Sequence, residues 1–377
     1  MLSDVLSPAL VPWVSGTLAF LGAVGLTPIV GWAARKGGWV AIPEDEKWHD
    51  TPTSLMGGIA IFAAGAIVLS VGDGGAAFPQ AVWAGAGLLF LTGLVDDLWA
   101  LGPVAKLATQ LTSAALVLSA GLLFAPTAPL WVSVPLTVVW LLGLPNALNL
   151  LDAMDGIAAG IAALAALFFG LVAGLQGEGA LAAAALVTAG ATAGFLVFNV
   201  APASIFMGDC GSLVLGYVLA VLGLGIQGSG GAGGAALIPV LILAVPIFDT
   251  TFVSVTRTQR GDSVTNGGVD HTMHRLVRLG WTERQTLLLM GGAGVLTGGV
   301  GVVGQVGPIL LFYVLLAVAL ATAVGVGKLL ALQTDPAPRT SPQPELAPEL
   351  VDRNVSSGSS RTRAEIESEE PVSRSTP

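Results

Sequence analysis

Apolar stretches long enough to cross a lipid bilayer recur along this chain, and they constrain its fold more than any other feature of the sequence. A helix needs about 20 consecutive apolar residues to span a hydrocarbon core about 30 Å thick. We predict the fold class to be all-α, a polytopic integral membrane protein with about eleven transmembrane helices. The predicted helices lie near 9–32, 55–71, 79–95, 105–124, 130–148, 156–175, 180–199, 210–226, 235–255, 284–304 and 308–332.

The composition excludes a soluble globular domain. Hydrophobic residues make up 54% of the chain and charged residues only 10%, with a mean hydropathy of +0.81, whereas soluble domains carry about 25% charged residues. Many of the 51 glycines lie inside apolar stretches, as is usual where transmembrane helices pack closely. The single cysteine, Cys210, excludes an intramolecular disulfide. We expect no cleavable signal peptide, because the first residues lack a basic region.

The basic residues predict how the chain is oriented. Cytoplasmic loops retain Lys and Arg, and all fifteen bases lie inside or at cytoplasmic helix ends only if the N-terminus is outside. The inside loops are then 33–54, 96–104, 149–155, 200–209 and 256–283. We therefore predict a membrane domain over residues 1–332 with its polar site at the cytoplasmic face. Residues 333–377, rich in Pro, Ser, Thr and Glu, are predicted to form a disordered cytoplasmic tail.

The first polar cluster follows an apolar helix in the segment LVDDLWALGPVAKL. Asp96 and Asp97 are adjacent carboxylates, which repel each other unless a cation lies between them and a partner. They suit a Mg²⁺–diphosphate site or a general base, with Lys106 as a phosphate ligand. The alternative is that both acids only mark the membrane boundary.

The second cluster is the segment LPNALNLLDAMDGIAAG. Asn146, Asn149, Asp152 and Asp155 recur at intervals of three, which predicts a single polar face on a helix. Charged and amide side chains on an apolar helix are costly in a membrane. They therefore indicate a site for a metal, a sugar or a phosphate, or else a polar contact between helices.

The third cluster lies in FNVAPASIFMGDCGSLVLG. Asp209 is isolated between apolar flanks at the start of a predicted helix, and Gly208 and Gly211 allow close backbone approach. Its carboxylate could be a functional ligand or a simple helix N-cap. We interpret Cys210 as a packing residue, and Asn199 lies upstream in the same segment.

The fourth cluster begins at Asp249, near the end of the ninth predicted helix, and continues through the long inside loop that follows. Its histidines and arginines suit a nucleotide diphosphate, although the arginines are also explained by orientation alone. A zinc site is disfavoured, because no third ligand of the Cys/His kind is near. The cluster consists of Arg257, His271, His274 and Arg275, and the first inside loop adds Lys47 and His49.

Together these blocks resemble the polyprenyl-phosphate N-acetylhexosamine-1-phosphate transferases, over residues 10–330 and in the family's order. The matching segments are the Asp96–Asp97 pair with Lys106, the NALNLLDAMDG block at 146–156, the FMGDCGS block at 206–212 and HTMHRL at 271–276. Four positions depart from the family pattern: Leu55 replaces an arginine, Ala100 an acid, Ala153 a glycine and Met273 a histidine.

The resemblance implies transfer of GlcNAc-1-phosphate from UDP-GlcNAc to undecaprenyl (polyprenyl) phosphate, with release of UMP. This would be the first membrane step of cell-envelope polysaccharide synthesis, such as lipopolysaccharide or teichoic acid synthesis. It implies Mg²⁺, with Mn²⁺ as a substitute, on Asp209. It implies a plasma-membrane location and no nucleic-acid partner. Apart from the resemblance, the glycine-rich segment GGAGVLTGGVGVVG is compatible with a homodimer and equally with packing inside the chain. The implied catalytic residues are Asp96, Asp97, Asp152 and Asp155. The implied substrate-binding residues are Lys47, His49, Lys106, Asn146, Asn149, Asn199, Arg257, His271, His274 and Arg275.

Three alternatives remain at the level of sequence. The phospho-MurNAc-pentapeptide transferases of peptidoglycan synthesis are a sister branch, marked by three adjacent histidines followed by Phe-Glu, which this chain lacks. A membrane transporter is disfavoured, because the polar residues lie at one face rather than at the midplane. A catalytically inactive homologue acting as a membrane scaffold is disfavoured by the intact acidic blocks.

Overall fold

Helices dominate the structure, a computed structural model that describes residues 7–41, 53–228, 236–263 and 270–333. The described helices are α1 (Val11–Gly37), α2 (Gly58–Val71), α3 (Gln80–Trp99), α4 (Pro103–Ser119), α5 (Leu130–Leu151), α6 (Ile157–Leu175), α7 (Gly179–Asn199), α8 (Asp209–Gly228), α9 (Leu237–Ile242), α10 (Ala244–Arg260), α11 (Thr272–Arg278), α12 (Glu283–Val306) and α13 (Ile309–Gln333). The predicted disordered tail lies outside the described residues, apart from Gln333 at the end of α13.

Eight of these helices are long and apolar enough to cross a membrane. They are α1, α3, α5, α6, α7, α8, α12 and α13. The predicted class, a helical polytopic membrane protein, is confirmed. Each of the eleven predicted helices coincides with helical structure, but α2 and α4 are shorter than a straight span. The count of eleven transmembrane helices therefore stays a prediction.

The ninth predicted helix, 235–255, is divided in the structure. It ends as α9 at Ile242 and resumes as α10 at Ala244, with Leu243 between them. Pro246 explains the break, because proline has no N–H to donate to the carbonyl four residues earlier and its ring clashes with that carbonyl. A continuous helix would place this conflict at Ile242. The polar helix α10 then runs on to Arg260, five residues past the predicted end.

The core is built around α7 and α8. The α7 helix packs between α1 and α6, and α8 packs against α3 and α5. The α1–α7 approach depends on glycine, because a Cβ at Gly190 would lie 2.0 Å from the Gly16 carbonyl oxygen. In contrast, only 6% of the α13 span is buried, and exposed leucines such as Leu310 suit contact with lipid.

Glycines of α12 explain part of its GGAGVLTGGVGVVG segment. A Cβ at Gly298 would collide with the Phe168 ring at 2.4 Å, and one at Gly304 would lie 2.6 Å from Phe312. These two glycines therefore serve packing inside the chain. Gly292 and Gly299 have no heavy atom within 4 Å of such a Cβ among the described residues. The homodimer stays a prediction.

A small sheet, which the sequence did not predict, joins two polar segments. Strands β1 (Val40–Ala41) and β2 (Thr53–Ser54) pair antiparallel, and Ser54 also forms a parallel bridge to Ile205. The Phe206 amide donates to the Ser54 carbonyl at 2.8 Å, and the Gly58 amide donates to the Met207 carbonyl at 2.8 Å. This pairing holds the residues immediately before Asp209 against the start of α2.

Candidate active site

Asp209 begins α8 and is fixed by a carboxylate from a different helix. Oδ1 of Asp97, on α3, accepts from the Asp209 amide at 2.8 Å, and Oδ2 accepts from the Cys210 amide at 3.1 Å. Asp97 therefore caps α8, and its charge suits the positive end of the helix dipole. Gly208 is required here, because its φ is +75° and a Cβ would lie 2.7 Å from Asp97 Oδ2. The N-cap role considered for Asp209 belongs to Asp97.

Lys106 pairs with both Asp96, near the end of α3, and Asp209, at the start of α8. Its Nζ forms an ion pair with Asp209 Oδ2 at 2.8 Å and another with Asp96 Oδ2. The second oxygen of Asp96 accepts from the Leu101 amide at 2.6 Å. One ammonium group thus lies between the carboxylates of α3 and α8, where it offsets their mutual repulsion. The structure thus brings Asp96, Asp97 and Lys106 of the first predicted cluster together with Asp209 of the third.

Asn149 completes this group, whereas Asn146 lies in a helix contact. The Asn149 amide nitrogen donates to Asp209 Oδ1 at 2.8 Å and to Ser212 Oγ at 2.9 Å. Asn146 instead exchanges two amide hydrogen bonds with Gln110 of α4, at 3.1 and 2.9 Å. Only Asn149 of the two amides therefore contacts the carboxylate group.

The predicted polar helical face is interrupted before it reaches the two acids. The α5 helix ends at Leu151, and residues 152–156 form a turn in which Gly156 has a φ of +75°. Asp152 and Asp155 therefore lie on a loop and not on one helical face with Asn149, which corrects the sequence interpretation. The left-handed conformation of Gly156, directly before α6, keeps α5 and α6 from joining into one continuous helix, and glycine adopts it without the steric penalty of a Cβ.

Asp155 and Asn199 tie this loop to the segment that leads to Asp209. Asp155 Oδ2 accepts from the Ala203 amide at 2.7 Å. Asn199, which is 2% exposed, accepts from the Gly156 amide at 3.1 Å and donates to the Ile205 carbonyl at 2.9 Å. These contacts fix two loops against each other. They give Asn199 a positioning role in the structure.

Asp152 is only partly exposed, and its electrostatic environment is unusual. Burial raises the pKa of its carboxyl well above the ordinary value, and the nearby charges of Asp209, Asp97 and Asp155 raise it further. The carboxyl thus lies close enough to the other acids for their charges to oppose its ionisation. A cation at this end of the molecule would relieve that repulsion.

A second cluster is formed by α10 and the start of α11. Arg257 makes a two-point ion pair with Asp270, with Nε–Oδ2 at 3.0 Å and Nη2–Oδ1 at 2.6 Å. Burial alone would raise the pKa of Asp270, but the Arg257 charge and hydrogen bonds outweigh it and lower that pKa. Asp270 is absent from the predicted site residues, although its place directly before His271 is a signal that could have found it.

The histidine block is buried against α10. His271 Nδ1 lies 2.7 Å from Asp249 Oδ2, and the Arg275 guanidinium stacks over Phe252 at 4.8 Å from the ring centre. His274 is 3% exposed. Burial, assisted by the neighbouring His271 and by the Arg278 charge, lowers the pKa of His274 to about 4. The predicted Arg257, His271, His274 and Arg275 are therefore assembled on two packed helices.

The acidic group, which consists of Asp96, Asp97 and Asp209 with the paired Lys106, has carboxylates suited to Mg²⁺. Among the described residues, no three His, Cys, Asp or Glu side chains are arranged as a metal site. Mg²⁺ in phosphoryl-transfer sites uses one or two carboxylates together with substrate phosphates. Asp209 and Asp96 fit such a site, because they already attract one cationic group, the Lys106 ammonium. The predicted phosphate ligands Lys47 and His49 lie outside the described residues.

Comparisons with known proteins found a family profile and several relatives that match the chain. Residues 79–227 match the glycosyl transferase family 4 profile. This range includes Asp96, Asp97, Lys106 and Asp209. The chain is 36% identical to a probable undecaprenyl-phosphate N-acetylglucosaminyl 1-phosphate transferase of Bacillus subtilis, over 72% of this chain and 79% of that protein. It is 32% identical to a decaprenyl-phosphate N-acetylglucosaminephosphotransferase of Mycolicibacterium smegmatis, over 72% and 78%.

A relative with a different name matches a shorter part of the chain. This protein is the phospho-N-acetylmuramoyl-pentapeptide-transferase of Lacticaseibacillus paracasei. It is 36% identical over 58% of this chain and 76% of its own length. The similarity to the two GlcNAc-phosphate transferases therefore extends over more of the chain.

Proposed function

The chain belongs to glycosyl transferase family 4, and on that premise we propose that it transfers GlcNAc-1-phosphate from UDP-GlcNAc to undecaprenyl (polyprenyl) phosphate, releasing UMP. The observation that carries the proposal is the convergence of Asp97, Lys106 and Asn149 on Asp209 from three other helices. A membrane protein tolerates such a concentration of charge where the charge has a function. The names of the Bacillus subtilis and Mycolicibacterium smegmatis relatives indicate the transferred group and the polyprenyl-phosphate acceptor.

The reaction joins two anions, and its barrier is largely their repulsion. An oxygen of the lipid phosphate attacks the sugar-linked phosphorus of UDP-GlcNAc, and the bond from that phosphorus to the UMP oxygen breaks. The residues of the acidic group do little covalent chemistry in this scheme. They orient the two phosphates and compensate charge as it moves from the attacking to the leaving oxygen.

The metal belongs to the proposal. Asp209 would hold Mg²⁺, with Asp96 or Asp152 near it, and the ion would neutralise the diphosphate of the donor. Lys106, which now pairs with Asp96 and Asp209, is placed to hold a phosphate oxygen. Asp97 keeps Asp209 in position through the start of α8. Asp96 then remains as the member of the adjacent pair that meets the acceptor phosphate.

The location of the site is part of the same proposal. The acidic group lies at the end of α3 and the start of α8, and the basic residues Arg35, Lys36 and Arg257 lie at the ends of α1 and α10. Positive residues at these ends support a cytoplasmic face in a plasma membrane. The long chain of the acceptor stays in lipid while UDP-GlcNAc arrives from water.

Purified protein in detergent or nanodiscs tests the reaction. With UDP-GlcNAc, undecaprenyl phosphate and Mg²⁺, we expect stoichiometric release of UMP and formation of undecaprenyl-diphosphate-GlcNAc, by mass spectrometry. Omission of the acceptor lipid is the control and should abolish UMP release. A folded, monodisperse protein that releases no UMP under these conditions would refute the proposed function.

The pentapeptide donor is the second candidate, because one relative carries that name. We expect UDP-MurNAc-pentapeptide to be at least about ten-fold poorer in kcat/KM than UDP-GlcNAc, about 1.4 kcal/mol in transition-state binding. UDP-GalNAc belongs in the same competition, because Met273 replaces a histidine of the family pattern. Preference for the pentapeptide donor would overturn the choice of substrate while leaving the family intact.

A further inference from the structure

Asp249 is a buried carboxylate that lies outside the acidic group at Asp209. It is on α10, one and a half turns after the break at Leu243, and is 1% exposed. An isolated carboxylate in such a position is costly unless it is paired and hydrogen-bonded. The groups that contact Asp249 therefore indicate its role.

Both oxygens of Asp249 face the start of the histidine block. Oδ1 accepts from the Thr272 amide at 2.7 Å, at the first residue of α11, and Oδ2 lies 2.7 Å from Nδ1 of His271. Two donors on one carboxyl group are the pattern of an ionised acid, which can only accept. Nδ1 of His271 must then carry a proton and donate it to Asp249.

The other ring nitrogen of His271 is the informative atom. Nε2 lies on the opposite side of the imidazole from Nδ1, and no group among the described residues forms a hydrogen bond with it. The ring itself is 3% exposed. A buried histidine that has one nitrogen satisfied and the other left over is arranged to bind something that is not part of the described chain.

The rest of this contact holds the two helices without touching the His271 ring nitrogens. Arg257 pairs with Asp270, and the Arg275 Nε donates to the Asp270 carbonyl at 2.8 Å. The ring of His274 is tilted against that of His271, with centres 6.0 Å apart. Asp249 is thus the residue that orients His271, while Asp270 secures the same helices by other atoms.

We propose that Asp249 is a positioning residue for the transferase reaction: it holds His271 with the proton on Nδ1 and leaves Nε2 to contact the nucleotide-sugar donor. The inference rests on the proposed function, because the donor is the ligand assigned to this cluster. Asp249 does not touch substrate itself and acts through His271. The logic is that of a carboxylate that fixes the tautomer and orientation of a functional imidazole.

A double-mutant cycle tests whether Asp249 acts through His271. We expect Asp249→Asn to lower kcat/KM for UDP-GlcNAc about 10- to 100-fold, because the amide can donate to Nδ1 and so favour a proton on Nε2. In a His271→Gln background the same substitution should cost less than about two-fold. The matched control is Asp270→Asn, which loosens the same two helices. Its fold-loss in kcat/KM should multiply with the fold-loss of His271→Gln in the double variant, as independent effects do. A cycle in which Asp249→Asn and His271→Gln also multiply would overturn the proposal.

Nitrogen-15 NMR gives a second test, whose wild-type result does not require the Asp249 variant to fold. The chain has three histidines, so substitution of His49 and His274 assigns the His271 signals. We expect the proton on Nδ1 in the wild type and its transfer to Nε2 in Asp249→Asn. A wild-type ring that carries its only proton on Nε2 would sink the proposal. Absence of UMP release by the wild type would instead count against the proposed function, because the spectrum does not depend on turnover.

Discussion

The single most informative side chain is Lys106, because it shows how three acids can share one end of a membrane protein. Its ammonium contacts both Asp96 and Asp209, and these three side chains are only partly exposed. Opposite charges attract more strongly there than in water. Removal of the lysine charge would leave two carboxylates facing each other. The positive and negative charges of the site therefore offset each other. A substitution that removes one charge also changes the electrostatic environment of the neighbouring side chains.

At this scale the clearest prediction concerns Asp209. Asp209→Asn preserves size and one acceptor oxygen but removes the charge that a hard cation requires. We expect the rate to fall about 100-fold or more, as when one preorganised electrostatic contact is lost, and half-saturation to need more Mg²⁺. UMP release across a Mg²⁺ titration measures both. The control is Asp262→Asn, an exposed acid at the end of α10, and near wild-type turnover of Asp209→Asn at limiting Mg²⁺ would disprove the ligand role.

His274 predicts a pH dependence of stability. Its pKa is about 4 in the folded protein and about 6.5 when unfolded, so between these values the unfolded chain binds a proton that the folded chain does not. Protonation of His274 therefore does not reduce the free energy of unfolding at pH 7, but it reduces it as the pH falls through 6.5 towards 4. We expect the wild-type Tm to drop a few degrees more from pH 7 to pH 5 than that of His274→Gln. Parallel Tm curves for the two proteins would contradict the assignment.

At the scale of elements, α8 is positioned by helices that approach it at glycine. A Cβ at Gly58 of α2 would lie 2.2 Å from the Gly211 amide nitrogen, and one at Gly93 of α3 would lie 2.3 Å from the Asp209 carbonyl oxygen. The α5 helix contributes a similar contact, because a Cβ at Gly216 would lie 2.5 Å from Pro145 Cα. Backbone atoms thus meet where Asp209 begins its helix. Small residues at such crossings are typical of membrane helices.

The α2–α8 crossing gives a prediction about packing. Gly58→Ala puts a methyl group against backbone that cannot move as a side chain would, and we expect a loss of about 1–3 kcal/mol with reduced turnover. Gly87→Ala is the matched control, because no heavy atom lies within 4 Å of its Cβ and alanine is the better helix former. Thermal unfolding in detergent and UMP release measure both variants. Equal Tm values for the two would show that the crossing tolerates a Cβ.

At the scale of the whole molecule, burial differs sharply among the candidate spans. The α8 span is 83% buried and the α13 span only 6%. A helix surrounded by others can carry the functional acid, because its surface meets protein rather than lipid. A peripheral helix such as α13 meets lipid on nearly every side, and its residues are accordingly apolar. The proposed site residues around Asp209 therefore lie on inner helices and on the loops at their ends.

Orientation is the prediction that belongs to this scale. With the N-terminus outside, the turn before α7 is external and the end of α10 is internal. We expect Glu178→Cys to react with an impermeant thiol reagent in intact cells and Asp262→Cys to react only after lysis. Both positions are exposed, and a Cys210→Ala background removes the buried native thiol. The reverse labelling pattern would invert the topology and place the acidic group outside.

Local composition was sufficient for the class of fold and for most of the helices. Length and hydropathy act within one segment, so each predicted helix coincides with helical structure even where its ends move by several residues. The sequence also identified the acidic residues as candidate site residues, because a charge in an apolar sequence is conspicuous on its own. The departures are local as well: Pro246 divides the ninth helix, and α5 ends at Leu151, so that Asp152 and Asp155 lie on the loop before Gly156.

Only the tertiary structure decided which residues of the site contact one another. Asp97 and Asp209 are 112 positions apart, and no spacing rule relates them, yet one caps the helix that the other begins. Likewise, Asn146 and Asn149 look equivalent in the sequence, but only Asn149 reaches Asp209. The sequence by itself determined a helical membrane protein with acids and bases grouped near helix ends. Which of them contact each other depended on how closely the helices approach, because a hydrogen bond needs a separation of about 3 Å, and glycines at the crossings set that distance.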